Sequence, residues 1–118
     1  MAGLPWVRLD VAFPSHPKVL RLLELREGHR TAFVYICGLA YSGAHGTDGL
    51  IAVSALPFIH GRRVDAQRLV EVGLWHPYPD GGWLINGWDE KQVTNEARKA
   101  RSDLAKKAAA ARWGRETG

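Results

Sequence analysis

Apolar and polar positions divide the chain into short segments with clear breaks between them. Residues 6–11, Trp-Val-Arg-Leu-Asp-Val, alternate apolar with polar and predict a strand. Phe13-Pro14-Ser15-His16-Pro17 interrupts it. Ser15 or His16 can cap a following helix, and Pro17 suits its first turn, where no intrahelical N–H is required. That helix is predicted to run to about residue 27, with Val19, Leu22 and Leu23 on one face and Gly28 as its end. A second helix is predicted over residues 30–44. Phe33, Ile36, Cys37, Ala40 and Ala44 recur at helical spacing, and Val34, Tyr35 and Leu39 widen the apolar surface. A helix apolar over most of its girth is expected at the centre of a fold.

His45-Gly-Thr-Asp-Gly49 reads as a turn and residues 50–53 as a short strand. Ser54 reads as the N-cap of a short helix, with Pro57 in its first turn and Gly61 closing it. Another helix is predicted from Arg63 to Gly73, a typical residue just beyond a helix end. Ala66, Leu69 and Gly73 share one of its faces, and Gln67, Arg68 and Glu71 the opposite, outward one. Residues 74–76 and 83–86 then form two strands around Pro77-Tyr-Pro-Asp-Gly-Gly82, a strong hairpin-turn signal. Trp83 and Ile85 fall on one side of the second strand, and Leu84, Asn86 and Trp88 on the other. A two-stranded hairpin needs a packed face, so most of this tryptophan surface is expected in the core, with Trp75 and Trp88 closing it. After Trp88-Asp89-Glu90 a last helix is predicted to about Trp113. Its stripe Val93, Ala97, Ala100, Leu104, Ala108 and Ala111 suits packing on the domain or on a second copy.

The predicted fold class is α+β: a winged helix-turn-helix with an extra N-terminal strand and helix and a C-terminal basic helix. Residues 1–90 form the domain and residues 91–118 a basic, Ala-rich tail. At 118 residues, a single core is all the chain can build. Charge sharpens this division. Residues 1–90 have eight basic and nine acidic side chains, whereas residues 91–118 have eight and three. The tail therefore accounts for the net charge of +4 and points to a polyanionic partner. A near-neutral domain, in turn, keeps open a module that binds another protein.

Chemistry adds little. Arg8 and Asp10 occupy the place where a secretory signal would be apolar, and the most apolar run, residues 31–41, is too short for a membrane span. A cytoplasmic location, away from the membrane, is expected. Cys37 is the only cysteine and reads as a small buried hydrophobe. The five histidines (16, 29, 45, 60 and 76) include no pair at i,i+4 spacing, so no metal or other cofactor is expected. No serine has a nucleophile context, and Asp89-Glu90 suits a helix N-terminus, so catalysis is not expected either.

The stretch WVRLDVAFPSHPKV resembles the N-terminal segment of phage replisome-organiser proteins through Trp6, Leu9, Asp10, Phe13, His16, Pro17, Lys18 and Val19. GLW at 73–75, GGW at 81–83, WDEKQ at 88–92 and AAAARWG at 108–114 are similar to small phage winged-helix proteins. The resemblance implies DNA binding in replication or transcriptional control. On the predicted layout the 63–73 helix enters the major groove of duplex DNA. Arg62 and Arg63 at its start, with Gln67 and Arg68 along it, are the candidate contacts to phosphates and base edges. Arg98, Lys99, Arg101, Lys106, Lys107, Arg112 and Arg115 are the candidate phosphate contacts of the tail. The hairpin has no Lys or Arg from Leu74 to Glu90 and is a poor holder of phosphate. The alternative is an interaction module for a host or replisome protein, or a homodimer formed through the last helix.

Overall fold

A computed structural model describes residues 3–92. Its elements are a short 3-10 turn at Phe13–Ser15, α1 (Pro17–Glu24), α2 (Gly28–His45), β1 (Leu50–Ile51), a 3-10 helix at Val53–Ile59, α3 (Arg63–Glu71), β2 (Trp75–Pro77), β3 (Trp83–Ile85) and α4 (Trp88–Lys91). The architecture is α+β: helices gathered around a small antiparallel sheet of three strands in the order β1-β3-β2. The register sets Leu50 against Leu84 and Ile51 against Trp83 on one side of β3, and Trp75 against Ile85 on the other. Ile51, Trp75 and Ile85 turn inward and meet Val34, Leu39, Ile59, Ala66 and Leu69 in one continuous core.

Local chemistry explains most of the boundaries. His16 caps α1: its Nδ1 accepts from the Lys18 N–H at 3.1 Å, and Pro17 follows it. The helix ends at Glu24, earlier than predicted, because the chain turns through a left-handed Glu27 (φ 57°). Gly28 thus opens α2 and does not close α1. The 3-10 helix starts from Ala52, with no side-chain cap from Ser54. Pro57 sits inside it without an N–H to give, so the segment stays short and tight. His60 supplies the left-handed exit (φ 60°), while Gly61 packs against Val34 and Leu56. α3 ends as the sequence predicts. Gly73 takes φ 86°, its N–H reaches the Val70 carbonyl at 3.0 Å, and the Leu74 N–H reaches Leu69 at 2.9 Å. Those paired bonds satisfy the last carbonyls of the helix and aim the chain into β2.

The N-terminal segment departs from the expected strand. Residues 6–11 form no strand, and α4 is a single turn that stops before Gln92. The Gln92 side chain accepts from the Arg8 N–H at 2.8 Å and donates to the Arg8 carbonyl at 2.6 Å. One amide group thereby imitates a strand partner, so the extended segment is held without a ladder. Trp6, Leu9 and Val11 stay exposed, while Val7 packs toward the core. The rest of the predicted last helix, its stripe from Val93 onward included, lies outside the described residues.

The apolar girth of α2 misleads about its inner side. Thr31, Val34, Tyr35, Gly38, Leu39 and Ser42 are buried, whereas Phe33 (55% exposed), Ile36 (38%), Ala40 and Ala44 face outward. Cys37 lies at the edge of this outer side, half-buried, and desolvation pushes its thiol pKa up. Polar side chains decided the orientation. Ser42 Oγ accepts the Gly49 N–H at 2.6 Å and bonds Thr47 Oγ1 at 2.6 Å, tying the end of α2 to the turn before β1. Buried hydroxyls need such partners, and this rotation supplies them. The tryptophans behave as expected: Trp75 and Trp88 are buried, and Trp83 rests half-buried on Trp75 at 5.9 Å. Trp88 points inward because Gly87 (φ 77°) breaks the strand period before it.

Leu39→Ala is expected to cost about 2–5 kcal/mol. Phe33→Ala, on the same helix, is expected to stay within about 0.5 kcal/mol. Urea midpoints of the two variants check the assignment of the buried side.

Candidate nucleic-acid interface

The start of α3 is organised by a buried carboxylate. Asp65 is fully buried, accepts from the Arg62 N–H at 2.9 Å, and so caps its own helix. Thr31 Oγ1 of α2 donates to it at 2.7 Å, and Arg62 Nε and Nη2 at 3.2 and 3.4 Å. Arg30 Nε stands 4.0 Å away, and its Nη2 donates to the His60 carbonyl at 3.1 Å. Burial pushes the Asp65 carboxyl pKa up, but the hydrogen bonds from Arg62 and Thr31 together outweigh it and hold the group below the ordinary carboxylate range. Arg62 is further drawn toward Glu27 at 3.6 Å.

This arrangement separates the four α3 candidates. Arg62 is engaged by two carboxylates, and its charge is largely answered within the protein. Arg63 and Gln67 are exposed, one turn apart, and their side chains make no hydrogen bond or ion pair among the described residues. Arg68 was expected outward with Gln67, yet it is half-buried, and one of its terminal nitrogens is enclosed without a protein partner. Glu71 is exposed near the far end of α3, and Ala66 and Leu69 are buried as the helical period predicts. The seven tail cations, Arg98, Lys99, Arg101, Lys106, Lys107, Arg112 and Arg115, lie outside the described residues. Comparison with protein-family models, curated proteins and solved structures gave no match.

Beside α3 lies a feature the sequence did not announce. Phe33 stacks on His60 with ring centres 6.1 Å apart, and Phe58, 74% exposed, stacks on Tyr41 at 6.4 Å. An apolar ledge therefore runs along the outer side of α2 and the 3-10 helix, next to Arg30, Arg62 and Arg63. The signal for Arg30 was available only as one charge at the head of an apolar helix. Its nearness to α3 is a tertiary fact. The β2–β3 turn is closed by the Tyr78 N–H on the Gly82 carbonyl at 3.0 Å and by Gly81 on Tyr78 at 3.0 Å. Its tip exposes Pro79, Asp80 and Gly81 and offers no cation. Among the described residues no group of three or more His, Cys, Asp or Glu side chains could hold a metal ion, and no helix is long and apolar enough to cross a membrane.

Because the folded pKa of Asp65 lies below its unfolded value of about 3.9, its contribution is fully present above that pH and is lost as pH falls through the folded value. Asp65→Asn is expected to lower stability by about 1–3 kcal/mol at neutral pH. The variant should also flatten the acid limb of stability against pH, read by urea denaturation between pH 6 and pH 2 (roughly the carboxylate range).

Proposed function

We propose that the chain is a non-catalytic winged-helix DNA-binding protein of phage type, acting in replication or transcriptional control. The observation that supports this best is the element order from α2 onward together with the sheet order β1-β3-β2. On this reading the 3-10 helix, the turn at His60–Arg62 and α3 make the helix-turn-helix, and β2–β3 makes the wing. α3 enters the major groove of duplex DNA, with Arg63 on phosphate and Gln67 at base edges. Arg62 serves as the strut that orients α3. The wing contributes shape and little charge, so the tail cations from Arg98 to Arg115 supply the sequence-independent affinity. No metal or cofactor is needed for such a role.

A second reading has its own support. The Phe33–Phe58 ledge and the engagement of Arg62 by Asp65 and Glu27 suit an interaction module that docks a host or replisome protein, or a second copy, without touching DNA. Gel-shift titrations on duplex and single-stranded DNA, beside light scattering, separate the two. DNA binding predicts a shift that weakens steeply with salt. The absence of a shift at low salt, with a clean dimer, favours the interaction module.

Within the DNA-binding reading, Arg63→Ala is expected to reduce the slope of log K against log salt by about 1, as loss of one phosphate contact does. Arg62→Ala should instead lower the urea midpoint while leaving that slope nearly unchanged. Removing residues from Arg98 onward should flatten the slope most of all.

A further inference from the structure

α2 runs for 18 residues, and between Arg30 and Asp48 the sequence has no Asp, Glu, Lys or Arg. A helix buried on every side would account for that composition, but α2 is open to solvent along one side. Phe33, Ile36, Ala40 and Ala44 are exposed there, with Cys37 half-buried among them. Phe33, Cys37, Ala40 and Ala44 recur at spacings of four, three and four. Such spacing makes a single row along the helix, roughly 17 Å long at 1.5 Å per residue. Ile36 flanks the row on one side. Tyr41 flanks it on the other, with the exposed Phe58 stacked on it. An uncharged row of this period is the kind of seam along which two helices pack.

The row is complementary to itself. Two such helices can lie antiparallel about a two-fold axis at the level of Gly38 and Leu39. Phe33 of each copy then meets Ala44 of the other, and Cys37 meets Ala40, so the one bulky side chain of the row falls on a small one. Small residues in the seam let the helix axes approach to about 8 Å. Charge favours the same direction. His29 and Arg30 stand exposed at the head of α2, whereas its C-terminal end has the partial negative charge of the helix and is followed by Asp48. Antiparallel pairing brings each cationic head to the C-terminal end of the other copy. Parallel pairing would set Arg30 against Arg30 and Phe33 against Phe33. Contact between identical faces opposes like charges, so a face without charge suits self-association.

We propose that the outer side of α2 is a homodimer interface, in which two copies of the chain pair antiparallel through Phe33, Cys37, Ala40 and Ala44. The proposal rests on the interaction-module reading of the apolar ledge and names its partner as a second copy. Ile36 closes one flank of the seam, and Tyr41 with Phe58 the other. No side chain of α3 takes part in the row, so the pairing is measured without DNA.

Sedimentation equilibrium of the full chain over a range of concentrations reads the association, and a reversible monomer–dimer equilibrium is expected. Ala40→Glu, at an exposed helical position that tolerates glutamate, places a carboxylate from each copy in the seam. It should weaken the dimer by roughly tenfold or more. Phe33→Ala removes the side chain that fills the space over Ala44 and should weaken it as well. The urea midpoint of each variant, taken at dilution, shows that the fold is intact. A dimer unmoved by both substitutions places the contact elsewhere and overturns the proposal. A chain that stays monomeric up to about 1 mM also overturns it. That second outcome leaves the ledge to a different protein or to residues beyond Gln92, and the interaction-module reading is then decided by the gel-shift titrations.

Discussion

A carboxylate enclosed without partners would cost more than this small core can supply, and the geometry around α3 follows from meeting that demand at Asp65. Its oxygens are filled from three directions: a hydroxyl of α2, the backbone at the head of α3, and the Arg62 guanidinium. Each bond fixes a relation between elements. Thr31 sets the rotation of α2 and Arg62 sets the entry of α3, while Arg30 ties the turn at His60 to both. The rotation chosen for Thr31 leaves Phe33 and Ile36 outside, so the apolar ledge is a consequence of the same demand.

The opposite side of the core is governed by volume. Trp75 fills the space between the sheet and α2, approaching Gly38, and Trp83 lies over its edge. A sheet of such short strands has little hydrogen bonding of its own, so side-chain packing must hold it. Trp88 extends that packing to α4, where Gln92 fastens the N-terminal segment through Arg8. Residues far apart in sequence thus meet near the base of the ribbon.

Charge is distributed to match these roles. Several cations of residues 1–90 are internal fittings: Arg62 with Asp65 and Glu27, Arg30 with His60 and Asp65, Lys18 with Gly73. Arg8, Arg21, Arg26 and Arg63 are exposed and make no ion pair among the described residues. A formal count treats all arginines alike, whereas only the fold shows which are neutralised by a neighbour.

Local sequence was informative wherever a local rule governs. Gly73 ended α3 because only the left-handed conformation lets Leu74 bond back to Leu69. Pro17 after His16 started α1, and Pro-Asp-Gly-Gly placed the turn between β2 and β3. The alternation at residues 6–11 and the apolar period of α2 were ambiguous for a physical reason. Alternation shows that a segment can extend but not what will pair with it, and here a single glutamine side chain does so. A helix apolar on nearly every side contains no directional signal, so its inner side was chosen by Thr31 and Ser42 seeking partners. The sequence by itself determined most of the elements, the stops at Gly73 and at the β2–β3 turn, and the concentration of charge in the tail. The tertiary structure alone decided which side of α2 is buried, that Arg62 is a strut while Arg63 is free, and that Gln92 holds the N-terminal segment through Arg8. Each of those outcomes depends on satisfying a buried polar group from a distant part of the chain, and no short-range pattern encodes that.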